Sequence, residues 1–144
     1  MKRFIAALVA VFAAWSVMDY LIHVVMLDSA YRATAQLWRP PEEMNMVLMS
    51  AVTLIIAAAF TGLYAQLVFP KSPPIGLVYG LFFGIIFGVS MGLGSYAYMP
   101  VPFTLAMAWL FGSLVECAVA GWLVGAIIRE KPAPGRTDAS SDAE

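Results

Sequence analysis

The stretch 75–99, IGLVYGLFFGIIFGVSMGLGSYAYM, carries glycine at Gly76, Gly80, Gly84, Gly88 and Gly92, every fourth residue of an otherwise apolar run. In water each interior glycine costs a helix about 1 kcal/mol against alanine, so a soluble helix would not hold five. Within a bilayer the backbone must satisfy itself, and a helix forms whatever its propensity. Glycine then lets a neighbouring helix approach closely, the small-xxx-small mode of packing. A four-residue step overshoots a full turn by roughly 40°. The glycine zipper therefore winds slowly round its helix and suits a right-handed crossing. Two readings stay open for it: close packing within one chain, and a face that meets another copy or a larger membrane-protein partner.

Composition agrees with a bilayer setting. Of 144 residues, 62% are hydrophobic and 12% charged, with a mean hydropathy of +0.84. A soluble domain is nearer half apolar and a quarter charged. We expect an all-α integral membrane protein, a four-transmembrane-helix bundle over residues 1–130 with helices at 4–27, 44–69, 75–99 and 103–128. The net charge of −1 gives no reason to expect nucleic acid. The single Cys117 excludes an internal disulfide.

The opening MKRFIAALVAVFAAWS imitates a signal peptide, with basic Lys2 and Arg3 before an apolar run. The run continues to Leu27, interrupted only by Asp19 and His23. That length spans a bilayer, so an uncleaved first helix is expected. A short interfacial helix over 29–39 follows, held by Tyr31 and Trp38 and ended by Pro40. Pro70, Pro73 and Pro74 mark one turn, and Pro100 and Pro102 another. The last helix carries Gly112, Gly121 and Gly125, the latter two a second small-xxx-small pair. The tail 131–144 is polar and rich in Pro, Ser and Ala, the composition of a disordered segment. With both ends inside, Lys2, Arg3, Lys71, Arg129, Lys131 and Arg136 are cytoplasmic and only Arg32 and Arg39 lie outside. This satisfies the positive-inside rule and points to a multi-pass protein of a bacterial inner membrane with cytoplasmic termini.

Three ionisable residues lie deep in apolar segments: Asp19, His23 and Glu116. At 1.5 Å per residue, Asp19 is ~22 Å from the basic end of its helix, Glu116 ~18 Å, Ser90 ~22 Å and Thr53 ~24 Å. All four helices thus put a polar group near one level, which predicts a shared internal cluster. Ala108, Gly112 and Ala120 frame Glu116 on its own face. Ser16, Asp19, Tyr20 and His23, at spacings of three and four, form one polar face of the first helix. Desolvation disfavours the charged form of an acid so placed. The cluster reads either as a device that fixes helix register or as a proton- or cation-binding site.

Metal ligation has weaker support. His23, which Asp19 could orient, is a weak metal candidate, and the thioethers of Met44, Met46 and Met49 are candidate soft ligands for Cu(I), although methionine also fills irregular gaps. No cofactor is expected. No P-loop, dinucleotide fingerprint, zinc motif or nucleophile elbow occurs, so an enzyme is not favoured. In outline, with four helices, an acid in the first and glycine motifs later, the chain is similar to the small multidrug-resistance transporters. It departs from them in the late position of Asp19, the additional Glu116 and the long first external loop, so no residue role is carried over. The readings that remain are an accessory subunit packing through glycine faces, a small proton- or cation-coupled transporter using Asp19 and Glu116, and a copper-handling protein.

Overall fold

The computed structural model describes residues 1–130, which are all-helical with no strand. The expected disordered tail, 131–144, lies outside the described residues. Four helices are long and apolar enough to cross a membrane. Helix α1 runs over Lys2–Met26, α3 over Met46–Leu67, α4 over Pro73–Tyr98 and α5 over Phe103–Ile127. Between α1 and α3 lies the short helix α2, Asp28–Ala33, with single 3-10 turns at Ala35–Leu37 and Pro41–Glu43.

Several boundaries differ from the sequence reading for local reasons. Helix α3 starts at Met46, two residues late, because Asn45 caps it: its side chain accepts from the Leu48 amide at 2.9 Å. The connecting helix stops at Ala33, short of 39. Thr34 takes φ −118° and turns its hydroxyl back to the Ala30 carbonyl at 2.8 Å, a side-chain bond that competes with helix continuation. Helix α4 starts earlier, at Pro73, with Ser72 as its cap and proline in the first turn, where its missing N–H costs nothing.

The glycine ladder is used inside the chain. Gly76, Gly80, Gly84, Gly88 and Gly92 are all buried, and each meets the backbone of α5. Gly76 lies against Gly121 and Gly125, Gly80 against Cys117 and Gly121, Gly84 against Ser113 and Leu114, Gly88 against Leu110, and Gly92 against Ala106 and Leu110. A Cβ at Gly84 would stand 2.8 Å from the Leu114 Cα, and one at Gly88 2.7 Å from the Leu110 carbonyl oxygen. Gly121 and Gly125 face back in the same way. Gly112 does not belong to this seam. It faces Ile22 of α1, and a Cβ there would make an ordinary contact at 3.5 Å.

Helix α1 packs against α5 and also touches α3. Its buried residues Ala7, Val11 and Trp15 step by four and meet Cys117, Ala120 and Val124 of α5 and Ala57, Phe60 and Tyr64 of α3 in one core. Aromatic rings fill the rest. Phe60 stacks between Trp15 at 5.3 Å, Tyr79 at 4.7 Å and Phe83 at 5.2 Å. The Tyr79 hydroxyl donates to the Phe60 carbonyl at 2.7 Å, and Tyr64 donates to Ser72 O at 3.1 Å. This core occupies the end of the bundle where Arg3 donates to the Arg129 carbonyl and the Glu130 amide to that of Lys71. Towards its other end α3 leaves the bundle: its first buried residue is Ala57, and Met46 through Met49 are exposed.

Candidate functional site

The buried row of α1 continues by the same step of four from Trp15 to Asp19 and His23. On α5 the facing row is Ala108, Gly112, Glu116 and Ala120. Small residues on either side of Glu116 let α1 come close, and Trp15 fixes the register by donating its indole N–H to the Glu116 backbone carbonyl at 3.1 Å. The side chains of Asp19 and Glu116 then lie near one another across the two helices. Oε1 of Glu116 is fully buried, and no N–H or hydroxyl of the described residues reaches it.

Ionised carboxylates are acceptors only. Two of them can bond to each other only when one proton is held between them, since like charges at this distance cannot both ionise. No arginine or lysine relieves the pair; the one salt bridge among the described residues is Arg32 with Asp28, on α2. The titratable neighbour of Asp19 apart from Glu116 is His23.

His23 leads away from the pair towards α2. Its Nδ1 lies 2.6 Å from the Tyr31 hydroxyl, which in turn accepts the indole N–H of Trp109 at 2.7 Å. Tyr31 packs edge-on to Trp38 at 5.5 Å, and Trp38 onto Trp109 at 5.9 Å. The Trp38 N–H reaches the buried Thr34 hydroxyl at 2.9 Å. Burial pushes the Tyr31 phenol above its ordinary value of 10.0, so it remains a donor at neutral pH. Tyr31 and Trp109 thus join a site that sequence reasoning had assigned to other residues. The available signal was Tyr31, eight positions after His23 and on the far side of a turn.

The other expected members stay apart. Thr53 is half-buried and returns its hydroxyl to its own backbone, at the Met49 carbonyl 3.2 Å away. It sits in the part of α3 that has left the bundle. Ser90 is exposed. It falls in a π-helical stretch of α4, Val89–Gly94, on the side away from the buried Gly88 and Gly92. Met44, Met46 and Met49 are exposed and distant in sequence from His23. No group of three or more His, Cys, Asp or Glu able to hold a metal occurs among the described residues.

An apolar cleft of about 320 Å³ opens between α1 and α5, lined by Ile22, Met26, Leu27, Ala108, Phe111, Gly112 and Val115 and by neither carboxyl. It exists because Gly112 and Ala108 leave space opposite a π-helical turn of α1, Tyr20–Met26. Such wide turns recur at functional sites.

No known family, curated protein or solved structure matches this chain. The functional reading therefore rests on the residues alone.

Proposed function

We propose that this protein is a small proton- or cation-coupled carrier of a bacterial inner membrane, with the Asp19–Glu116 pair as its ion-binding element. The four helices cross the bilayer with Lys2, Arg3, Lys71 and Arg129 on the cytoplasmic side. The meeting of Arg3, Lys71 and Arg129 at one end of the bundle supports that orientation, and α2 then lies at the outer interface. The observation that carries the reading is the closeness of two carboxyls from different helices, near mid-span, with no arginine or lysine to neutralise them. An ionisable residue at this depth costs several kcal/mol if it faces lipid and marks a proton or ion path by default. A pair needed only for register would be served as well by two neutral amides.

The glycine faces give less support to an accessory role. The ladder that would serve as the docking face is filled by α5 of the same chain, so an outside partner would need another surface.

The test uses the full chain reconstituted in lipid vesicles loaded with a pH-sensitive dye. An imposed proton gradient should drive proton movement that Asp19→Asn and Glu116→Gln each abolish. Infrared spectra should show a protonated-carboxyl band in the native protein that either substitution removes. Undiminished proton movement in both variants would refute the reading.

A further inference from the structure

The hydroxyl of Tyr31 touches two nitrogens of opposite demand, and their chemistry determines where the hydrogens lie. The Trp109 indole is a donor only, so at 2.7 Å the phenol oxygen accepts from it. The phenol's own hydrogen then needs an acceptor, and the atom 2.6 Å away is Nδ1 of His23. The opposite assignment, with Nδ1–H donating, would load two donors onto one oxygen and leave the phenol hydrogen without a partner. Nδ1 is therefore bare, and a neutral imidazole in this position carries its proton on Nε2.

We propose that Tyr31 is a positioning residue that sets the tautomer of His23, so that the imidazole beside the carboxyl pair carries its single N–H at Nε2. This role rests on the reading of Asp19 and Glu116 as an ion-binding element, although the tautomer itself does not. The device joins three elements. Tyr31 comes from α2, Trp109 from α5, and His23 from the π-helical turn of α1. The titratable groups facing the imidazole are Asp19 from its own helix and Tyr31 from α2, with Glu116 of α5 behind Asp19. Arg32, the next residue on α2, is turned away and paired with Asp28 at 2.9 Å. The edge-on ring of Trp38 and the buried Thr34 hold Tyr31 in place. Movement of α2 would thus change which nitrogen of His23 is protonated without any contact between α2 and the carboxyls.

The chain contains one histidine, so selective ¹⁵N-histidine labelling of the full protein in lipid bilayers, purified through a tag free of histidine, reports one ring. The native protein at neutral pH should show unprotonated Nδ1 and protonated Nε2. Tyr31→Phe keeps the ring packing and removes the hydroxyl; the ratio of the two tautomers should fall about tenfold, the share one hydrogen bond holds. Trp109→Phe is the second variant. It leaves Tyr31 free to accept from Nδ1 and should shift the ratio in the same direction. A native ring protonated on Nδ1, or an unchanged ratio in both variants, would overturn the assignment. The two claims separate cleanly. If the ratio responds as stated while Asp19→Asn and Glu116→Gln both move protons undiminished, the tautomer device stands and the carrier reading fails.

Discussion

Gly80→Ala places one methyl group where α4 and α5 are closest. Its carbon would stand 2.9 Å from the Cys117 carbonyl carbon and 3.0 Å from the Gly121 Cα, with the Cys117 carbonyl oxygen nearer still. Carbon atoms pack at about 3.5–4.0 Å, so the helices must part by roughly 0.5–1 Å there. Both obstacles are backbone, and no rotamer change relieves them. Parting also loosens the neighbouring steps, Gly76 on Gly121 and Gly84 on Leu114. Forcing an extra methyl into a packed site costs about 1–3 kcal/mol. The higher helix propensity of alanine offsets at most about 1 kcal/mol, and less in a segment that is helical in any case. The expected net loss is about 1–2 kcal/mol. Gly62→Ala is the matched control, because its methyl would meet only the Gln66 side chain, at 3.9 Å. Reversible unfolding in mixed micelles, followed by circular dichroism and tryptophan fluorescence, measures both. Equal stability of Gly80→Ala and Gly62→Ala would refute the claim that the ladder is a backbone-to-backbone seam.

Three further outcomes follow from the same packing. Gly84→Leu should destabilise the single chain, by upwards of about 3 kcal/mol given the 2.8 Å approach to the Leu114 Cα; intact folding with loss of an oligomer would instead put the ladder on an outer surface. Thr61→Val should stabilise by about 1 kcal/mol in the same unfolding assay, since the Thr61 hydroxyl is buried without a partner and valine keeps the shape. Burial raises the Tyr31 phenol above 10.0, so above that pH the unfolded chain releases a proton that the folded one retains, and stability falls as pH rises. Denaturation midpoints measured on either side of 10.0 should show this alkaline slope reduced in Tyr31→Phe, and an unchanged slope would count against the buried phenol.

The helices were legible because each is a run of apolar residues bounded by proline or charge, and bilayer-scale length leaves few alternatives. Asp19 and Glu116 could be set at one depth by counting residues. Depth made a shared cluster the expectation, but that these two acids meet without Thr53 and Ser90 depends on α1 choosing α5 as its neighbour, which no local pattern states. Thr53 shows the limit of depth as a guide. It lies at a similar level, but α3 diverges from the bundle before reaching it, and its hydroxyl satisfies itself on Met49. Ser90 failed for a reason visible in the sequence, since it points away from the glycine face that α5 occupies. Tyr31 was read as an interface anchor because an aromatic residue after a span fits that role. Its bond to His23 depends on a turn at Leu27 that brings α2 back over α1.

The seam and the carboxyl pair are mechanically connected. Glu116 precedes Cys117, whose backbone is gripped by Gly80, and Gly121 one turn further on is gripped by Gly76 and Gly80. One acid of the pair therefore rides on a helix locked along its length to α4. The other stands where α1 changes character. Asp19 is the last α-helical residue before the π-helical turn Tyr20–Met26, a stretch in which no residue is buried. Close packing resists displacement, whereas few buried contacts allow it at low cost. The compliance between the two carboxyls thus lies on the α1 side, in the segment that carries His23 and whose position Tyr31 and Trp109 hold through that imidazole. A change at α2 reaches Asp19 along this path, while Glu116 stays fixed by the ladder.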